Sequence, residues 1–251
     1  MRRALAFLVL LAAAAACAPL QSQAPGTPSI VAVSPAACDG PVDASRPQYI
    51  VGYGSLMQDE SRSRTSPRAG PAHPIELAGY RRGWFARGSS VGFSTTFLGV
   101  VQDRASRLNA VVYKVDADEV AATDRRERSY CRAAVPVSQI APLGADFSLP
   151  GNAQAWIYVS RGPNVSLPDA KYPIVQSYVD VFIVGCLEQE ARYGVAGFAR
   201  ECVATTYGWS AHWVNDRIYP RRPFVYQPYA REVDGLLAKE LPRIFNQIRV
   251  E

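Results

Sequence analysis

Between Gln48 and Val159 the chain is written in short β-rich stretches, and helical spacing takes over only afterwards. Val, Ile, Tyr, Phe, Trp and Ala gather at 49–51, 75–77, 84–86, 97–102, 110–115, 132–137 and 153–159, with turn residues between them. Residues 117–123 interrupt this with one or two helical turns, and Asp116 stands where an N-cap is needed. Residues 171–193 then repeat Ile174, Tyr178, Val181, Phe182 and Gly185 near helical spacing, with Gly194 placed to stop the helix. Further helices are expected at 197–207 and at 231–245, where Leu236, Leu237 and Leu241 form an apolar stripe. Strands first and helices after predict an α+β fold, a mixed sheet or small mixed β-barrel flanked by helices.

The length of 251 residues suits one domain with extensions, and a 48% hydrophobic content is enough for a sizeable core. A basic segment, Met1-Arg-Arg, precedes an apolar run from Ala4 to Ala16, too short to span a bilayer and expected to act as an export signal over 1–16. The run closes on Ala14-Ala-Ala-Cys17, which resembles a bacterial lipoprotein signal with Cys17 as the lipidated residue; the alternative is cleavage near Ala16 or Ala18 and release. Lipidation, with Ala18 next in the chain, implies a periplasmic protein anchored to the outer membrane. Residues 17–46 are rich in Pro, Ala and Ser and read as a tether, leaving 47–251 as the folded domain.

Loss of Arg2 and Arg3 leaves 25 basic and 22 acidic side chains, and the arginines form no long stripe with interleaved aromatics. Nucleic acid is therefore not an expected partner, whereas a mildly positive field suits a small anionic substrate. In an oxidising compartment Cys38, Cys131, Cys186 and Cys202 allow three pairings. Cys186 and Cys202 lie on consecutive predicted helices and are the favoured disulfide, with Cys38 and Cys131 then left to each other; free buried thiols are the alternative. No Cys or His spacing suggests a metal site.

Two segments carry the chemistry. Tyr49-Ile-Val-Gly-Tyr-Gly-Ser-Leu56 reads as an apolar strand breaking into a glycine turn that offers backbone N–H groups to an anion. Thr123-Asp-Arg-Arg-Glu127 delivers an acidic side chain just ahead of another strand. Ser55 lacks the G-x-S-x-G context of a nucleophile, and His73 and His212 have neither triad nor zinc spacing.

The order of these segments resembles the γ-glutamylcyclotransferase superfamily, including its ChaC-type branch, where a YGS loop is followed by a D-x-R-E-like segment bearing the catalytic glutamate. Gly79-Tyr-Arg-Arg-Gly-Trp84, Tyr130 with Arg132, and Tyr172-Pro-Ile-Val-Gln-Ser-Tyr178 extend the likeness over roughly 48–220. The resemblance implies a small mixed β-barrel with helices and an enzyme that releases 5-oxoproline from γ-glutamyl peptides or amines, glutathione among them, without metal or organic cofactor. In this reading Glu127 is the catalytic acid/base, and Tyr53, Gly54, Ser55, Leu56 and Tyr130 bind substrate. The alternative is a non-catalytic envelope lipoprotein that binds a ligand on the same fold. Arg221 or Arg222 is a further candidate for meeting a substrate carboxylate.

Overall fold

A computed structural model describes residues 38–90, 93–144, 147–162, 165–222 and 229–251. The expected signal at 1–16, Cys17 and most of the tether lie outside the described residues.

The fold begins with β1 (Gln48–Gly52), buried along its whole length. A 3-10 turn at Ser55–Met57 and α1 (Asp59–Ser63) lead to a long hairpin of β2 (His73–Ser90) and β3 (Phe93–Val115). Four runs expected as separate strands thus merge into two. The glycines read as turns are absorbed: Gly79, at φ +85°, sits in a register shift between Ala78 and Tyr80 that bends the strand without ending it. His73 opens β2 and stacks on Phe147.

Next comes α2 (Ala117–Arg126), one turn longer than expected. Its first turn is closed by the Glu119 carboxylate, which accepts the Asp116 N–H at 3.2 Å and the Arg68 N–H at 2.9 Å. The short β4 (Tyr130–Val135), β5 (Ile140–Pro142) and β6 (Gln154–Ser160) complete the main sheet apart from one late strand.

The helix expected at 171–193 is preceded by an extended pair, β7 (Ile174–Val175), and α3 runs Gln176–Tyr193. Pro173 disfavours helical backbone at Tyr172, and β7 is instead held in a second small sheet. Gly194, in the left-handed region at φ +64°, ends α3 as expected. There follow α4 (Phe198–Ala204), β8 (Thr206–Tyr207), β9 (Trp213–Asn215), α5 (Ala230–Glu240), α6 (Pro242–Phe245) and β10 (Arg249–Val250). The single helix expected at 231–245 is divided because Pro242 cannot donate into the preceding turn.

The main sheet has seven strands in the order β4-β6-β1-β3-β2-β5, with β8 added to β2, and it curls into a half-barrel. β9 lies between β7 and β10 in the small parallel sheet. The fold is the α+β class expected from the sequence. β1 and β6 run parallel, Gln48 opposite Gln154 and Val51 opposite Ile157, so their carboxyl ends emerge at one rim. α3 packs against α4 and the 3-10 turn after β1, and its residues Val179, Val181, Phe182, Ile183 and Val184 are all buried. A β-carbon at Gly185 would lie 2.6 Å from the Gln58 nitrogen, so glycine is what lets α3 touch the loop after β1.

Residues 38–46 lie along the sheet. The Asp39 N–H donates to the Arg132 carbonyl at 2.7 Å, the Asp43 N–H to the Gln154 side chain at 2.7 Å, and Cys38 is disulfide-bonded to Cys131. A second disulfide joins Cys186 of α3 to Cys202 of α4.

Candidate functional site

The rim where β1 and β6 end is the natural place for a site, because parallel strands deliver their loops to the same side. The loop from β1 carries Tyr53 to Leu56, the end of β6 carries Ser160 and Arg161, and the start of β4 carries Tyr130 opposite Ser160. α2 ends just before β4, which places Glu127 at its C-terminal cap. The first turn of α3 adds Tyr178. Together these elements enclose a cavity of about 640 Å³, open to solvent and lined by Ser55, Glu127, Tyr130, Ser160, Tyr178 and Arg222 among others. A narrow recess of about 30 Å³, room for about one water, leads inward between Tyr53, Gly54, Ser55, Leu56, Tyr130 and Tyr178, with Glu127 at its entrance.

Glu127 is 16% exposed and pairs with the Arg126 guanidinium at 3.0 Å. Burial raises its carboxyl above the ordinary range, while Arg126 and Arg222 pull it back. The same Arg126 donates to Ser55 Oγ at 3.2 Å, to Ser61 through its carbonyl and hydroxyl at 2.7 and 3.0 Å, and to Thr65 Oγ1 at 3.0 Å. Through this one guanidinium the glycine loop and the acid, 72 residues apart in number, are held in one frame.

The loop is held from beneath as well. Arg82 is fully buried and donates to the Tyr53 carbonyl at 3.2 Å, to Asn109 through its carbonyl and side chain, and to the Cys202 carbonyl and the Thr205 and Thr206 hydroxyls. Burial pushes its guanidinium down to about 9, and it lies over the Phe182 ring. Among the described residues no carboxylate is bonded to it, so its charge is borne by oxygen dipoles and a ring face.

Each residue singled out from the sequence has a definite place here. Ser55 lies beside the Tyr178 hydroxyl and pulls its phenol down against the effect of burial. Gly54 is the close approach: a β-carbon there would lie 3.1 Å from the same Tyr178 oxygen. Tyr53 and Leu56 line the inner recess, and the Tyr53 hydroxyl is spent on the Tyr158 carbonyl at 2.5 Å, which makes it a wall. Tyr130 faces both spaces and donates to the Leu98 carbonyl at 3.0 Å. Burial raises the phenols of Tyr53 and Tyr130 well above their usual range, and that of Tyr178 as well, so all three stay neutral donors beside the acid.

Of the two arginines suggested for a carboxylate, Arg221 pairs with Glu251 and donates to the Ser94 carbonyl, away from the cavity. Arg222 lines the cavity with its guanidinium over the rings of Phe97 and Tyr178. Its charge reaches Glu127. Neither histidine lines the cavity.

Sequence reasoning passed over Arg126 and Tyr178 as site residues. Arg126 is one of three arginines within four positions, with nothing local to mark it, and Tyr178 falls on the apolar stripe of a helix. The one available signal was their placement inside the two segments that carry the resemblance.

Comparison with known proteins bears on this geometry. The sequence pattern of the family described as gamma-glutamyl cyclotransferase, AIG2-like matches residues 50–177, half of the chain. No curated protein sequence matches. Among solved structures, the chain is similar to a gamma-glutamyl cyclotransferase at 12% identity, over 77% of this chain and 99% of that one, with a TM-score of 0.48. It is also similar to the uncharacterized human protein loc79017 at 13% identity, over 64% and 88%, with a TM-score of 0.47. A yeast gamma-glutamyl cyclotransferase specific to glutathione matches at 10% identity over 64% and 98%, with a TM-score of 0.38.

Proposed function

Because the chain belongs to the AIG2-like gamma-glutamyl cyclotransferase family, we propose that it cyclises the γ-glutamyl group of a small substrate, releasing 5-oxoproline and the amine that the group had carried. The observation that carries this reading is the meeting of Glu127 with the Tyr53–Leu56 loop at one cavity, with Arg222 beside them.

The reaction is intramolecular. The α-amine attacks the γ-carbonyl carbon, a lactam C–N bond forms, the original amide C–N bond breaks, and the proton lost by the attacking nitrogen is matched by one gained at the departing nitrogen. No water or other co-reactant is consumed. The protein's task is to fold the glutamyl chain back on itself and move that proton. The α-amine and α-carboxylate sit on one carbon, so their receptors must be neighbours. Glu127 and Arg222 meet this requirement, the first taking the proton and the second holding the carboxylate. A raised carboxyl pKa lets Glu127 return the proton to the leaving nitrogen. The γ-oxygen, negative in the transition state, is received at the mouth of the inner recess, where the Tyr178 hydroxyl and Ser55 are the nearest donors.

The two disulfides support the expectation of an exported protein, since such bonds persist in oxidising compartments. To test the reaction, the chain is incubated with γ-glutamyl dipeptides and 5-oxoproline is assayed. The wild type forms it, and Glu127→Gln is slower by about 10²–10⁴-fold, the range for loss of a positioned acid/base. Ligand binding with no 5-oxoproline from the wild type overturns the enzymatic reading in favour of a binding module.

A further inference from the structure

The charges around the cavity do not balance. Among the described residues its wall holds five arginines and a single carboxylate. Arg126 is neutralised by Glu127, and Arg87 by Asp169 at 2.6 Å. Arg128, Arg161 and Arg222 remain without a carboxylate partner among the described residues; Arg161 donates to the Arg128 carbonyl at 3.3 Å, which brings these two side by side. A second observation points the same way. Ser160, immediately before Arg161, is 2% exposed and lines the cavity, and its hydroxyl, buried against Gly99, has no hydrogen-bond partner among the described residues. Such a group costs free energy unless a ligand completes it.

A γ-glutamyl head group is a zwitterion, and its one α-carboxylate satisfies Arg222. Two guanidinium charges and the Ser160 hydroxyl are left over, grouped where the end of β6 meets the turn before β4. We infer that this side is a second anion subsite, formed by Arg128, Arg161 and Ser160, which selects γ-glutamyl compounds whose leaving half is acidic, above all one carrying two carboxylates. The inference rests on the cyclotransfer reading for which half of the substrate meets the subsite. A γ-linked chain of glutamates belongs to this class. Each turnover on such a chain releases one 5-oxoproline and uncovers a new α-amine next to a γ-amide, which is again a substrate.

The test is a series in which only the leaving half changes: γ-glutamyl-glutamate, γ-glutamyl-glycine, γ-glutamyl-glycinamide and γ-glutamyl-ethylenediamine. In the wild type, kcat/KM falls up to about tenfold from the first to the third, as two exposed charge contacts allow, and the spread narrows with added salt. The Arg128→Gln/Arg161→Gln double variant contracts that ratio toward one. Binding of the same series to Glu127→Gln, read by calorimetry, follows the same order. Turnover without charge grading, or grading that survives in the double variant, overturns the subsite and leaves cyclotransfer standing. Graded binding without wild-type turnover upholds an anion subsite and overturns cyclotransfer. Absence of both binding and turnover overturns both.

Discussion

Arg126 is the residue on which the site's geometry and its electrostatics both depend. Its guanidinium touches Ser55 on the glycine loop and Glu127 on the helix cap, and its charge holds down a carboxyl that burial would otherwise raise further. If Glu127 begins the reaction ionised, the rate falls as pH drops through its raised pKa. Removing the neighbouring cation raises that pKa again, so Arg126→Gln moves the acid limb of the kcat/KM profile to higher pH and lowers its plateau. Arg126→Lys keeps the charge but loses the fork of hydrogen bonds, so it lowers the plateau with a smaller movement of the limb. A pH–rate profile of the three proteins checks this, and a limb that does not move in Arg126→Gln removes Glu127 as its source. Glu127 and the Tyr53–Leu56 loop were legible in the sequence because each is announced by its near neighbours, the glycines in one case and the acidic-basic run in the other. Arg126 and Tyr178 were not. Their roles arise only when a helix cap and a helix first turn arrive at a loop that precedes them by 70 residues or more.

Among the elements, α3 and the loop after β1 meet backbone to backbone. A β-carbon on Gly185 would lie 2.6 Å from the Gln58 nitrogen and 2.9 Å from the Met57 carbonyl carbon, both backbone atoms that cannot rotate away. Gly185→Ala gains about 1 kcal/mol in helix propensity. Forcing the two backbones apart costs more, and a net loss of about 1–2 kcal/mol is expected, within the usual range for an overpacked core. A lowered thermal midpoint together with a raised KM is the result to look for; an unchanged midpoint shows that the joint yields. The sequence placed most of the elements but not all their ends. Proline decided two boundaries, at Pro173 and Pro242, where apolar spacing alone had carried the helices through. The long hairpin was hidden for the opposite reason: Gly79 and Gly83 fell among the turn residues between expected strands, yet in a curling sheet they serve as a bend and a close contact. Gly99 faces Ser160 and Gly83 faces the Tyr207 carbonyl, contacts between distant segments that no local pattern records.

At the scale of the whole molecule, two disulfides close loops of different size. Cys38–Cys131 spans 93 residues and Cys186–Cys202 spans 16. In the chain-entropy account the first stabilises by about 5 kcal/mol and the second by about 3. Replacing Cys38 and Cys131 by serine therefore lowers the denaturant midpoint more than replacing Cys186 and Cys202, which equilibrium unfolding of the two double variants measures; the reverse order shows that native packing outweighs loop entropy. Position matters as much as size. Cys131 is the second residue of β4, next to Tyr130 at the cavity wall, while the loop that lines the inner recess leaves the far end of β1. A mechanical load applied on the amino-terminal side of Cys38 passes through the covalent bridge into β4 and is shared with β6 along six paired residues. A molecule pulled by its amino-terminal end thus delivers load to β4 and β6 by a covalent route that does not depend on the segment leading into β1.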